Sequence, residues 1–115
     1  MENFKTGFLK TFLNGRKLSL KNMQLGVNSA KIIKMLMLFN YDLSTINLSD
    51  NSLYDEGAKL ISEGIRNNNH IISVNVSCNG LTSEGGKYIF DSLVTNNGLI
   101  DLNLSSKGGK IRNNI

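Results

Sequence analysis

At 115 residues, 40% of them hydrophobic, the chain can bury one core and is too short for two domains. Its single cysteine excludes an internal disulfide and fits a reducing, cytoplasmic setting. The net charge of +4 is uneven: residues 1–41 hold seven Lys/Arg against Glu2, residues 42–106 hold eight acidic against three basic groups, and residues 107–115 add three basic ones.

The first predicted element spans residues 1–14. Phe4, Phe8 and Phe12 recur every four residues with Leu9 and Leu13 alongside, which is the spacing of an amphipathic helix. Its expected job is to cap the first strand unit. No secretory signal is read in this segment, because it carries Glu2 and no uninterrupted apolar run. The most apolar stretch of the chain, Ile32–Phe39, is interrupted by Lys34 and falls far short of the ~20 residues a membrane helix needs.

From Gly15 onward the chain repeats. Leu43, Ile46, Asn47, Leu48, Asn51 and Leu53 are followed 28 positions later by Ile71, Val74, Asn75, Val76, Asn79 and Leu81. The frame returns at Leu99, Leu102, Asn103 and Leu104, and reaches back to Leu18, Leu20, Met23 and Leu25. A fixed period of this length means stacked copies of one structural unit. The predicted units are 15–42, 43–70 and 71–98, with a partial unit and polar tail at 99–115, all in one domain.

The first half of each unit has period two. Ile46 and Leu48, Val74 and Val76, and Leu102 and Leu104 point to one face of a short strand, which turns Asn47, Asn75 and Asn103 the other way. The second half is helical: Ala58, Ile61 and Ile65 share a stripe, and Ile89 and Leu93 repeat its last two positions. Gly57 and Gly85 are equivalent, at a site where close packing or an unusual backbone angle excludes a side chain. Asp55, Glu56 and Glu84 put negative charge at the helix starts, and polar clusters at 67–70 and 95–98 end the helices. Strands joined through helices by right-handed crossovers make a parallel sheet, so the fold class is an α/β solenoid.

The block from Leu48 through Asn51, Leu53, Gly57 and Ala58 to Ile61 resembles the ribonuclease-inhibitor-like class of leucine-rich repeats. The resemblance covers residues 43–98, and 15–42 and 99–105 in part. It implies a right-handed βα horseshoe segment with the parallel sheet inside and the helices outside. It also implies that Asn51 and Asn79 lie inside the turn, their amides satisfying loop backbone groups. Met23 and Lys107 stand at this position in the outer units, so the ladder is incomplete there. Family members include nuclease inhibitors, GTPase activators, actin pointed-end caps and innate immune receptors, which act by contact with another protein. The fold alone does not choose among them.

Two surfaces are candidate contact sites. On the concave face, Ser19, Asn47, Asn75 and Asn103 form one column and Lys21, Ser49, Ser77 and Ser105 another, flanked by Asp50 and Cys78 and by Lys17, Thr45, Ser73 and Asp101. Such small polar residues serve equally to keep an open sheet face soluble, and without Trp, Tyr or Arg anchors they suit a low-affinity contact. On the outer side, Met35, Leu38 and Phe39 stand where later units carry Glu63, Arg66 and Asn67. Apolar residues at outward positions call for a cover: the N-terminal helix, a second copy of the chain, or a different partner. Strand 99–105 has no complete unit after it and leaves a parallel edge open.

Chemistry is thinly supplied. One histidine and one cysteine are too few for zinc, and His70 belongs to the connection preceding the strand that leads to Cys78, away from it as a base. Arg16 and Arg66 read as solvated groups in place of an arginine finger. No phosphate-binding loop occurs, and Lys107, Lys110 and Arg112 have no interleaved aromatic residue to support nucleic-acid binding. Asn47, Asn75 and Asn103 each open a glycosylation sequon, read as unmodified. The expected function is therefore a non-catalytic protein-interaction module without cofactor or metal. Its partner is another protein, contacting Asn47, Ser49, Asp50, Asn75, Ser77 and Asn103 or the patch at Met35, Leu38 and Phe39. Two readings stand beside it: a regulator of a GTPase or other enzyme, and a fragment of a larger array that self-associates through the open edge or the apolar patch as a homo-oligomer.

Overall fold

A computed structural model of the protein describes residues 12–39, 43–95 and 101–105. Strands β1 (Leu13–Asn14), β2 (Lys17–Ser19), β3 (Thr45–Asn47), β4 (Ser73–Asn75) and β5 (Asp101–Asn103) form one sheet in sequence order. Helices α1 (Val27–Phe39), α2 (Tyr54–Arg66) and α3 (Ser83–Thr95) fill the crossovers between successive strands from β2 to β5.

β2 to β5 are parallel, and each register carries the repeat straight across the sheet. Leu18, Ile46, Val74 and Leu102 are partners, as are Ser19, Asn47, Asn75 and Asn103. The α/β solenoid expected from the period is the fold observed. Leu18, Ile46 and Val74 are buried, together with Leu20, Leu48 and Val76 and the helix stripe at Ala58, Ile61 and Ile65. Each such Leu or Ile is worth ~1.5–3 kcal/mol. The helices pack in order, α1 on α2 and α2 on α3, so every unit buries its apolar face against a neighbour.

The turn asparagines join the units. Asn51 Nδ2 donates to the carbonyls of Leu48 and Ser49 in its own turn and to Leu20 in the preceding unit, while its Oδ1 accepts from the Met23 and Leu25 amides. Asn79 repeats this with Val76, Ser77 and Leu48 carbonyls and the Leu53 amide, at 2.8–3.2 Å. The equivalent Lys107 lies outside the described residues.

One local expectation is corrected, and one left open between two causes is decided. Leu13–Asn14 is a strand antiparallel to β2, with Leu13 opposite Leu18 and Asn14 opposite Lys17, where the apolar spacing predicts the end of a helix. Gly15 adopts a φ of 63°, which a two-residue hairpin needs and a glycine supplies. The hairpin satisfies backbone groups on the outer side of β2, a gain that local helical periodicity does not register. Residues 1–11 of the predicted capping helix lie outside the described residues. Gly57 and Gly85 lie within α2 and α3, outside the positive-φ region, so close packing is the reason for glycine. A Cβ on Gly57 would approach Leu53 Cβ to 2.8 Å, and one on Gly85 would meet the Asp55 carboxylate.

Candidate functional site

Strand alternation turns Asn47, Asn75 and Asn103 away from the core, with Asn47 and Asn75 half-buried and Asn103 exposed. Each Oδ1 accepts twice from the serine two residues on. The amides of Ser49, Ser77 and Ser105 donate at 3.0 Å, and their hydroxyls at 2.7, 2.6 and 2.9 Å. Two donors on one oxygen fix the orientation of each amide group.

The same bonds correct the second concave column. Ser49 and Ser77 are only 4% and 7% exposed, so they support the asparagines and do not line a contact surface. The strands stop at Asn47 and Asn75, and two residues later the chain no longer follows strand alternation. It turns instead through Asp50 and Cys78, at φ of 58° and 56°. What remains accessible is the asparagine column, half-buried Thr45, Asp50, Ser73 and Cys78, and exposed Lys17, Ser19, Lys21 and Asp101. Ser73 Oγ donates to Asp101 Oδ2 at 3.4 Å.

On the outer side Met35 is 51% and Phe39 73% exposed, one turn apart on α1, with Leu38 half-buried between them. The concave asparagines and this patch occupy different elements and form no common site. Lys34 on the same helix pairs with Glu63 of α2 at 2.7 Å. A further apolar area, not singled out in the sequence, lies at the β5 end. There Phe90 and Leu93 of α3 line an open concavity of about 410 Å³ with Leu102 and Leu104. The signal for it was Phe90 standing where Ser62 and Lys34 occupy the equivalent positions.

Two polar residues that shape these surfaces were also missed. Asn68 is buried; its Nδ2 donates to the Met37 carbonyl of the preceding unit at 2.5 Å, and its Oδ1 accepts from the His70 and Ile71 amides. Asn40 and Asn96 recur at the same interval in sequence, which is the signal that marks it. Asp55 leaves its own helix start to cap the next one. Its Oδ1 accepts from the Thr82 and Gly85 amides, and its Oδ2 from the Thr82 hydroxyl.

Among the described residues no three His, Cys, Asp or Glu side chains are grouped to hold a metal ion. No described helix is long and apolar enough to cross a membrane. The Tyr88 phenol is held above its usual pKa range because its hydroxyl donates to the Glu84 carboxylate at 3.2 Å.

Residues 40–62 and 67–90, which span the β3–α2 and β4–α3 units, match the family model described as "Leucine Rich repeat". The match is confined to those two repeat units, and the parallel βα arrangement around them fits it. Among solved structures, the chain is similar to one titled "Leiomodin-1 Actin-Binding Site 2 (ABS2)", with a TM-score of 0.76 over 84% of the chain and 22% identity. At that identity the likeness is one of fold. The chain spans 56% of the length of that solved chain. No curated protein sequence matches it.

Proposed function

We propose that this chain is a leucine-rich repeat protein acting as a non-catalytic interaction module whose partner is another protein. The carrying observation is the concave asparagine column: Asn47, Asn75 and Asn103 are in register on parallel strands and locked by their serines before any partner arrives. A face ordered in advance lowers the entropy cost of association. The similar structure titled as an actin-binding site supports a protein as the class of ligand, without assigning actin to this chain. The contact residues are Asn47, Asp50, Asn75 and Asn103, and the Met35, Leu38 and Phe39 patch is a second surface. The division into a leading segment to residue 14, units 15–42, 43–70 and 71–98, and a partial unit from 99 belongs to the same reading, supported by the unshifted registers. The ribonuclease-inhibitor-like subclass is supported by helices of 13 residues in every described crossover.

Affinity recovery of partners from the source cell, compared for the wild type, Asn75→Arg and Phe39→Asp, tests this assignment. Asn75→Arg is expected to abolish recovery of at least one specific partner while the circular dichroism spectrum is unchanged. If neither substitution alters recovery, both surfaces are wrong. A partner lost only with Phe39→Asp moves the function to the outer side.

A further inference from the structure

The locked asparagines have a chemical consequence. With each Oδ1 occupied by a serine amide and hydroxyl, the group left on each carboxamide is Nδ2, which carries two hydrogens and accepts nothing. No described residue accepts from Nδ2 of Asn47, Asn75 or Asn103. Neighbouring strands are about 4.8 Å apart, so three such donors stand in a row across β3, β4 and β5. The parallel column beside them is charged at its ends only. Lys17 on β2 and Asp101 on β5 are separated by three strand steps, about 14 Å, with the hydroxyls of Thr45 and Ser73 between.

We propose that this row binds an extended peptide segment of the partner, lying across the strands, with an acidic residue at the Lys17 end and a basic residue at the Asp101 end. The proposal rests on the reading of the concave face as a contact surface and adds the ligand's chemistry and direction. A surface of donors favours a ligand that supplies acceptors, because covering an N–H without pairing it costs free energy. Backbone carbonyls of an extended chain supply them. At about 3.3 Å per residue, four residue steps match the 14 Å column, so the two charged residues are four positions apart. A polyanion fits less well, since Asp50 and Asp101 face it alongside Lys17 and Lys21. Strand addition at the β5 edge is a different geometry, running along the strands and leaving the donor row uncovered.

Titration of the isotope-labelled protein with three capped pentapeptides tests the proposal, with the side-chain amide signals of Asn47, Asn75 and Asn103 as readout. The probes are Glu-Thr-Ser-Thr-Lys, Glu-Thr-Ser-Thr-Glu and Lys-Thr-Ser-Thr-Lys, and the exposed Asn67 serves as internal reference. Expected are saturable shifts of the three asparagine signals, with the mixed peptide at least about threefold tighter than the other two. Asp101→Lys, on an exposed side chain, is expected to reverse the order between the mixed and all-acidic peptides. Equal binding of all three peptides, no movement of the asparagine signals, or shifts confined to the Leu104 backbone would each overturn it. If Asn75→Arg still removes a cellular partner in that event, the contact surface stands and its proposed chemistry fails. If Asn75→Arg has no effect either, the surface itself is misassigned.

Discussion

Asparagine performs three different jobs in this chain, and its surroundings decide which. Asn79 is 2% exposed and bonds four backbone groups. Removing it leaves the Leu53 amide and the Val76 carbonyl without their partner, while the Leu48 carbonyl keeps Asn51 and the Ser77 carbonyl keeps the Asp50 amide. Asn79→Ala is expected to cost about 3 kcal/mol or more in urea unfolding. Asn103→Ala, on an exposed strand position with a solvated serine, should cost under about 1 kcal/mol by the same measurement. If the two cost the same, cross-unit bonding is not what Asn79 contributes. Cys78 makes the complementary point. It holds a φ of 56° where Asn22 and Asp50 occupy the equivalent turns at 53° and 58°. Asn tolerates the left-handed region better than Cys, so Cys78→Asn is expected to raise stability by about 0.5–1 kcal/mol, seen as a higher urea midpoint at unchanged slope.

Helices are tied to their predecessors by side chains as well as by packing. Asp55 of α2 caps α3, and Gly85 exists to admit that carboxylate. Asp55→Ala should cost about 1–2 kcal/mol, as loss of an N-cap does, and the loss should appear as faster hydrogen exchange at Thr82 and Gly85. On the same helix, Lys59 lies 5.8 Å over the Tyr88 ring, whose hydroxyl donates to Glu84. The hydrogen bond to Glu84 raises the Tyr88 pKa above the phenol's ordinary value, with desolvation and the charges of Glu84 and Asp55 acting in the same direction. A raised folded-state pKa means the folded chain holds this proton more tightly. The contribution is therefore complete below the ordinary phenol pKa of about 10 and is lost as pH rises through the folded value. Tyr88→Phe is expected to flatten that alkaline loss in a pH series of unfolding midpoints; an unchanged series would remove Tyr88 from the account.

Across the whole molecule the two ends of the sheet differ. β1 covers the outer side of β2, whereas β5 pairs only with β4 among the described residues. The amides of Leu20, Leu48 and Val76 donate to the next strand, and the equivalent Leu104 amide has no described acceptor. Hydrogen exchange should be slow at the first three and fast at Leu104 in the isolated monomer. Protection at Leu104 that grows with protein concentration would indicate pairing of two copies through this edge.

The period of 28 and its alternation were enough to place the strands, their registers and the core, because identical units have one way to stack leucines against leucines. The asparagine column was legible for the same reason: period two fixes which side of a strand a residue occupies. The burial of Ser49 and Ser77 was not, since alternation lapses where a three-residue strand ends. Nor were the β1 hairpin, the Asp55 cap or the Asn68 clamp. The hairpin answers the backbone needs of the outer side of β2 and the Asp55 cap needs two units lying against each other, neither of which local periodicity registers. For Asn68 the recurrence at Asn40 and Asn96 marks the position but not the bonds it makes. Which way the amides of Asn47, Asn75 and Asn103 face was likewise decided in three dimensions, by serines whose amide and hydroxyl both reach one oxygen.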